Sequence, residues 1–116
     1  MADTDPTCLF CKIAAGEIPS DLVYEDDDVV VFRDINPKAP THVLAIPRRH
    51  IASAHELTDA DAELLSALFR ALRNVATELG LSGYRIASNV GADAGQSVFH
   101  LHFHLLGGRQ MAWPPG

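Results

Sequence analysis

The sequence has no apolar run near the roughly 18 residues a membrane-spanning helix needs. It has only two cysteines, Cys8 and Cys11. That is too few for the disulfide framework of a small secreted domain, so they must be read as a pair. Basic residues are scarce, with nine Lys and Arg against 15 Asp and Glu and a net charge of −6. A nucleic-acid polymer is therefore not expected as a partner, because backbone phosphates usually call for a basic face. A mononucleotide stays compatible, since local histidines and backbone amides can hold a few phosphates. The stretch from Met1 to Pro6 is acidic and lacks the basic-then-apolar plan of a signal peptide. A cytoplasmic location with no membrane partner is expected. Repeats, linkers and low-complexity segments are also missing. What is present is ordinary: 116 residues, 47% hydrophobic and 21% charged, the make-up of a single domain over 1–116 that can bury a core.

Hydrophobic periodicity places the elements. Asp5-Pro6 resembles a helix cap followed by proline at the first helical position, with Leu9, Phe10 and Ile13 at helical spacing and Gly16 as a stop. Leu22 to Glu25 and Val29 to Arg33 read as short strands joined by the acidic turn Asp26-Asp27-Asp28, which suits a solvated hairpin tip. After a turn-rich loop from Asp34 to Pro40, Thr41 to Pro47 reads as a buried strand. Thr58 and Asp61 open a long helix as a capping-box-like pair, and Gly80 ends it. Leu64, Leu65, Leu68, Leu72, Val75, Ala76 and Leu79 form its apolar stripe, a core face. Strands are expected over Tyr84 to Asn89 and Val98 to Leu106. The fold class is thus α+β: an antiparallel sheet of about five strands with one long and one short helix.

Half of the six histidines fall in His100-Leu101-His102-Phe103-His104. On a strand, alternate residues share a face, so the three imidazoles line one side while Leu101, Phe103 and Leu105 enter the core. A single metal does not explain the row. The first and third Cα would lie about 13 Å apart at 3.3 Å per residue, too far for zinc bonds of about 2.0 Å. A phosphoryl group fits better, bridging alternate rings roughly 6.6 Å apart. The middle ring, His102, is then placed for attack on phosphorus, with its neighbours as donors or proton shuttles. A backbone carbonyl accepting from its Nδ1 would fix the tautomer that exposes Nε2. The preceding loop, Val90 to Ser97, lacks the Gly-Lys-Ser/Thr ending of a P-loop. Beside the histidines it reads as a phosphate cradle, with Ser97 and backbone amides as donors.

His100-Leu101-His102-Phe103-His104-Leu105-Leu106 resembles the His-φ-His-φ-His-φ-φ signature of the histidine-triad (HIT) family. The similarity runs through Phe10-Cys11-Lys12-Ile13, Ala39-Pro40-Thr41-His42, Ile46-Pro47-Arg48-Arg49-His50-Ile51 and Gly95-Gln96-Ser97. The tail Gly107 to Gly116, with Trp113, resembles the Hint branch, the purine nucleoside phosphoramidases. The resemblance implies a HIT-like homodimer whose two sheets join into one, with a site in each subunit for a purine nucleotide such as AMP or its phosphoramidates. It implies His102 as nucleophile, His42, His100 and His104 in proton movement, and Asn89, Gln96, Ser97, His102 and His104 around the phosphate. Asp34 would take the ribose hydroxyls. Leu9, Phe10, Ile13, Ile18, Phe32, Ile35 and Leu44 would surround the base, and Trp113 would reach the partner's site. Some family members carry structural zinc at positions that correspond to Cys8, Cys11, His50 and His100, and a zinc-bound His100 could not also be a free proton shuttle. The expected activity is hydrolysis of purine nucleoside 5′-phosphoramidates through a nucleotidyl-His102 intermediate. The alternatives are a dinucleoside polyphosphate hydrolase or nucleotidyltransferase, a nucleotide-binding regulator with incidental hydrolysis, and a zinc-held structural module.

Overall fold

Two runs of the sequence, Val29–Arg33 and Thr41–Pro47, are apolar at nearly every position rather than at alternate ones. Such strands must be covered on both faces. The computed structural model, which describes residues 4–116, provides that cover. The first three residues of the acidic N-terminus, and of the domain expected over 1–116, lie outside it. A short helix, α1 (Leu9–Ala14), precedes a hairpin of β1 (Leu22–Glu25) and β2 (Val29–Arg33). Then come β3 (Thr41–Pro47), the long helix α2 (Ala62–Glu78), β4 (Tyr84–Ala87) and β5 (Phe103–Gly107). The five strands form one antiparallel sheet in the order β1-β2-β3-β5-β4.

The pleat divides the buried residues between two layers. Val29, Val31, Val43, Ala45, Leu101, Phe103 and Leu105 meet Leu68, Ala71, Leu72, Val75 and Ala76 of α2 on one face. Fully burying Leu68 and Leu72 there stabilises the fold by roughly 1.5–3 kcal/mol each. On the other face Val30, Phe32, Leu44 and Ile46 meet Cys8, Phe10 and Cys11 of the α1 segment. His42 and His104 have the parity of Leu44, so the same pleat turns them to the α1 side.

Several element ends differ from the sequence expectation, the starts of the first helix and of the last strand for local reasons. The first helix begins at Leu9, not after Asp5-Pro6, because Cys8 occupies the cap position and accepts from the Cys11 amide. The Asp5 carboxylate closes a turn instead, accepting from the Thr7 amide and hydroxyl. Strand β4 stops at Ala87 rather than Asn89. The last strand starts at Phe103 rather than Val98, since the Leu101 N–H leaves the ladder to donate to the Ile51 carbonyl at 2.6 Å. The long helix opens as anticipated, with the Thr58 amide donating to the Asp61 carboxylate at 2.9 Å; one 3₁₀ turn, Asp59–Asp61, precedes the α-helix. Among the described residues no helix is long and apolar enough to cross a membrane.

Candidate functional site

Between α1 and the face of β2, β3 and β5 turned toward it lies a pocket of about 410 Å³. Its apolar wall is Leu9, Phe10, Ile13, Ile18, Phe32, Ile35 and Leu44, and its polar end is Asp34, Ser97, His102 and His104. Residues scattered from position 9 to position 104 thus converge on one concavity. An apolar cleft ending in a few convergent polar groups is the usual form of a small-ligand site.

The protonation pattern of the histidines follows from partners that can only donate or only accept. The Lys38 backbone N–H donates to His42 Nδ1 at 3.0 Å, so that nitrogen is the bare acceptor. The proton of neutral His42 therefore sits on Nε2, 2.9 Å from His104 Nδ1 and 3.5 Å from an Asp34 carboxylate oxygen. His104 Nδ1 accepts, which leaves Nε2–H as the donor of the neutral ring. His42 and His104 meet because they are diagonal neighbours across β3 and β5: Leu44 pairs with His104, and His42 with Leu106. Burial lowers the pKa of His42, and with His102 and His42 nearby it takes His104 down to about 4; the Asp34 carboxylate opposes both shifts. The relay is therefore neutral near pH 7.

His102 is set by a different acceptor. Its Nδ1–H donates to the His100 carbonyl at 2.7 Å, so its Nε2 carries the free lone pair. The ring is almost completely buried, stands edge-on to Phe10 with centroids 5.1 Å apart, and lies 5.0 Å from the His104 ring. The Ser88 hydroxyl donates to the His102 carbonyl at 2.8 Å and fixes the backbone at that point. A tautomer-locked imidazole presenting Nε2 to a pocket is equipped for nucleophilic attack.

His100 faces elsewhere. Its side chain has no solvent exposure, and its Nε2–H donates to the Pro47 carbonyl at 2.8 Å. Its Nδ1 lone pair lies 3.3 Å from Cys8 Sγ and 3.5 Å from Cys11 Sγ. His50 Nδ1 lies 3.4 Å from Cys11 Sγ. The four ligand atoms all fall within 4.8 Å of one another. Zn–S bonds of about 2.3 Å and Zn–N bonds of about 2.0–2.1 Å at tetrahedral angles put neighbouring S and N roughly 3.6 Å apart. The observed S···N separations match that edge, and an S₂N₂ donor set is a closed structural zinc site. Burial holds His100 near pKa 4, so it stays in the neutral form that ligates metal. With both ring nitrogens engaged, His100 is not a free proton shuttle; its contribution to the pocket is its carbonyl.

The other anticipated residues divide. Gln96 lies beneath the loop, its amide donating to the Ala52 and Val98 carbonyls and its Oε1 accepting from the Gly91 N–H. Its side chain therefore braces Ser97 rather than facing the pocket. Asn89 lies beside Gly95, whose left-handed φ of 93° admits glycine readily. Trp113 is 81% exposed, outside the pocket, with the Arg85 guanidinium 5.8 Å from its ring centre. Sequence reasoning missed Ser88 and the Lys38 amide. Ser88 fell inside the strand expected over Tyr84 to Asn89, which gave its hydroxyl no special place, and a backbone donor leaves no trace in residue identity.

The chain is similar to known proteins over nearly all of its length. A family profile described as "Scavenger mRNA decapping enzyme C-term binding" matches residues 7–113. An uncharacterized HIT-like protein of Synechococcus elongatus is 50% identical, with 93% of this chain and 96% of that protein covered. A 14 kDa zinc-binding protein of Zea mays is 49% identical over 98% of this chain and 91% of its own length. A HIT family hydrolase from Legionella pneumophila superposes with a TM-score of 0.93 and 54% identity, covering 95% of this chain and 100% of that one. A HIT family hydrolase from Clostridium thermocellum gives 0.91 and 49%, covering 94% and 96%.

Proposed function

The chain belongs to the histidine-triad family and has the fold of its hydrolases, and we propose that it hydrolyses purine nucleoside 5′-phosphoramidates, the activity of the Hint branch. The observation that carries this reading is the locked tautomer of His102, with Nδ1–H on the His100 carbonyl at 2.7 Å and Nε2 left for phosphorus.

The purine would lie against Leu9, Phe10, Ile13, Ile18, Phe32, Ile35 and Leu44, with the ribose hydroxyls on Asp34. Ser97, Asn89 and the loop amides would hold the α-phosphate. The bound anion raises the proton affinity of His104, in the same direction as the Asp34 carboxylate; His104 takes up a proton at Nδ1 as the His42 Nε2–H turns to Asp34, 3.5 Å away, and enters the reaction charged. His102 Nε2 then forms a bond to phosphorus as the P–N bond to the leaving group breaks, and His104 gives its proton to the departing amine. Water next attacks the nucleotidyl-histidine. The P–Nε2 bond breaks, the nucleoside monophosphate forms, and the water proton returns to His104. His42, its ring 5.2 Å from that of His104, keeps His104 oriented in both halves of the cycle by packing against it.

Cys8, Cys11, His50 and His100 would hold zinc as a structural ion, fixing α1 and the approach to the nucleophile. The exposed edge of β4 is the side on which a second sheet would join in a homodimer, bringing Trp113 toward the partner's pocket. Two metal-ligating thiols suit a reducing, cytoplasmic setting.

The test is turnover of adenosine 5′-phosphoramidate to AMP by wild type and His102→Ala, followed by chromatography. Hydrolysis that the substitution abolishes supports the reading. A folded, AMP-binding wild type with no turnover refutes it and favours the nucleotide-binding regulator. Faster cleavage of a dinucleoside polyphosphate would move the activity to a pyrophosphate bond on the same nucleophile.

A further inference from the structure

We infer that the Cys8/Cys11/His50/His100 metal site and the nucleotide pocket are thermodynamically coupled, so that a bound metal tightens nucleotide binding and a bound nucleotide holds the metal in place. This rests on the function proposed above and adds a regulatory dependence to the same site.

Three physical links join the two sites. The first is α1, only six residues long. A helix that short is not stable by itself and depends on its anchors. Two of those anchors, Cys8 and Cys11, are metal-ligating positions, and the residues between and beside them, Leu9, Phe10 and Ile13, form the pocket wall. The second link is the Phe10 ring. It touches both sites edge-on, with centroids 6.0 Å from His100, 5.1 Å from His102 and 5.5 Å from Phe32. The third is the His100 backbone. A metal on its Nδ1 fixes that residue, and the carbonyl of the same residue holds His102 Nδ1–H.

The solvent route gives independent support. A second cavity, about 420 Å³, reaches Cys8 and His50 and shares Leu9, Ser97 and Val98 with the nucleotide pocket. A ligand that immobilises Leu9 and Ser97 from one side therefore stiffens the passage by which a metal would leave on the other. Coupling of this kind is reciprocal: whatever factor the metal adds to nucleotide affinity, the nucleotide must add to metal affinity.

The experiment compares AMP binding by calorimetry to zinc-loaded and chelator-stripped protein, and the rate of zinc transfer to a chromogenic chelator with and without saturating AMP. The expected result is at least an approximately fivefold tighter AMP complex in the loaded form, with transfer slowed by a similar factor. A control with free zinc excludes metal capture by AMP itself. Phe10→Leu keeps all four ligands and should shrink the coupling factor toward one while zinc stoichiometry stays unchanged. If stripping unfolds the chain, the transfer rate still decides, because it is read on the folded, loaded protein. AMP that binds without slowing zinc transfer overturns the coupling and leaves the proposed function intact. Loaded protein that does not bind AMP overturns both.

Discussion

Replacing His42 with alanine isolates the relay from the nucleophile. His42 makes two hydrogen bonds, accepting from the Lys38 N–H at 3.0 Å and donating to His104 Nδ1 at 2.9 Å. Its side chain is 4% exposed, so water replaces neither bond easily. An unsatisfied buried group costs about 1–3 kcal/mol, and with two groups left the fold should lose roughly 2–6 kcal/mol. At about 2.1 cal/mol/K of unfolding entropy per residue, a chain of this length has about 0.24 kcal/mol/K in all, so Tm should fall by roughly 8–25 °C. The catalytic effect follows from the orientation of His104. Without the His42 ring packed 5.2 Å from it, His104 loses the partner that holds it, and its Nε2–H misses the leaving group in a fraction of molecules. Proton delivery by a positioned group is worth about 10²–10⁴-fold; His104 remains present, so a fall in kcat of roughly 10–100-fold is expected, with KM nearly unchanged. Calorimetry and steady-state hydrolysis of adenosine 5′-phosphoramidate below the variant's Tm read the two effects separately. A variant that loses Tm but keeps kcat within about twofold would show that His104 does not depend on His42.

Gln96→Leu should lower Tm by about 4–12 °C, because the part-buried Gly91 N–H and Ala52 and Val98 carbonyls lose their partner and water satisfies only some of them, a net cost of roughly 1–3 kcal/mol; it should also weaken AMP binding by loosening Ser97, as titration calorimetry would show. Acid should destabilise the fold in a defined window. The lowered pKa values of His42 and His104 mean that the unfolded chain takes up protons near 6.5 while the folded chain does not until about 4 for His104. The unfolded state binds more protons between those values, so stability is fully present above 6.5 and is lost as pH falls toward 4. Urea midpoints across that range should decline, and less steeply in His104→Gln. Chelation of zinc should lower the Tm of wild type, zinc should restore it, and Cys11→Ser should respond to neither.

Much of this was legible because it rests on side-chain parity. The strands expected over Leu22–Glu25, Val29–Arg33 and Thr41–Pro47 are β1, β2 and β3, and the last two end where the apolar runs that are covered on both faces give way to turns. Leu101, Phe103 and Leu105 enter the core as their alternation with the histidines requires. The pocket wall was reached only through the family resemblance, because Leu9, Phe10 and Ile13 are apolar whether they line a core or a base site. The rest was hidden because it depends on the backbone. The groups that fix the three tautomers are the Lys38 amide and the Pro47 and His100 carbonyls, and any residue at those positions except proline at 38 would supply the same atom. Gln96 could not be placed either, since a long amide serves a ligand or its own loop equally well.

The histidine row itself shows how an irregular backbone can create a site that a regular one would forbid. In an unbroken strand from Val98 to Leu106, the His100 carbonyl would belong to a ladder and its ring would share a solvent-facing row with the other two. Here the ladder starts only at Phe103, and the Leu101 N–H is drawn to Ile51. That departure turns the His100 ring toward Cys8 and Cys11 and leaves its carbonyl free to accept from His102. Beyond it, the regular part of β5 sets His104 diagonally across from His42. Three histidines at equal spacing thereby take up three different tasks: one completes the metal cluster, one presents its lone pair to the pocket, and one presents a proton. Extending the strand by two ladder bonds would place the three rings in equivalent settings and remove the acceptor that locks His102. The break in the strand is thus a condition for the lock on the proposed nucleophile His102, and restoring regularity there should cost activity even as it adds hydrogen bonds.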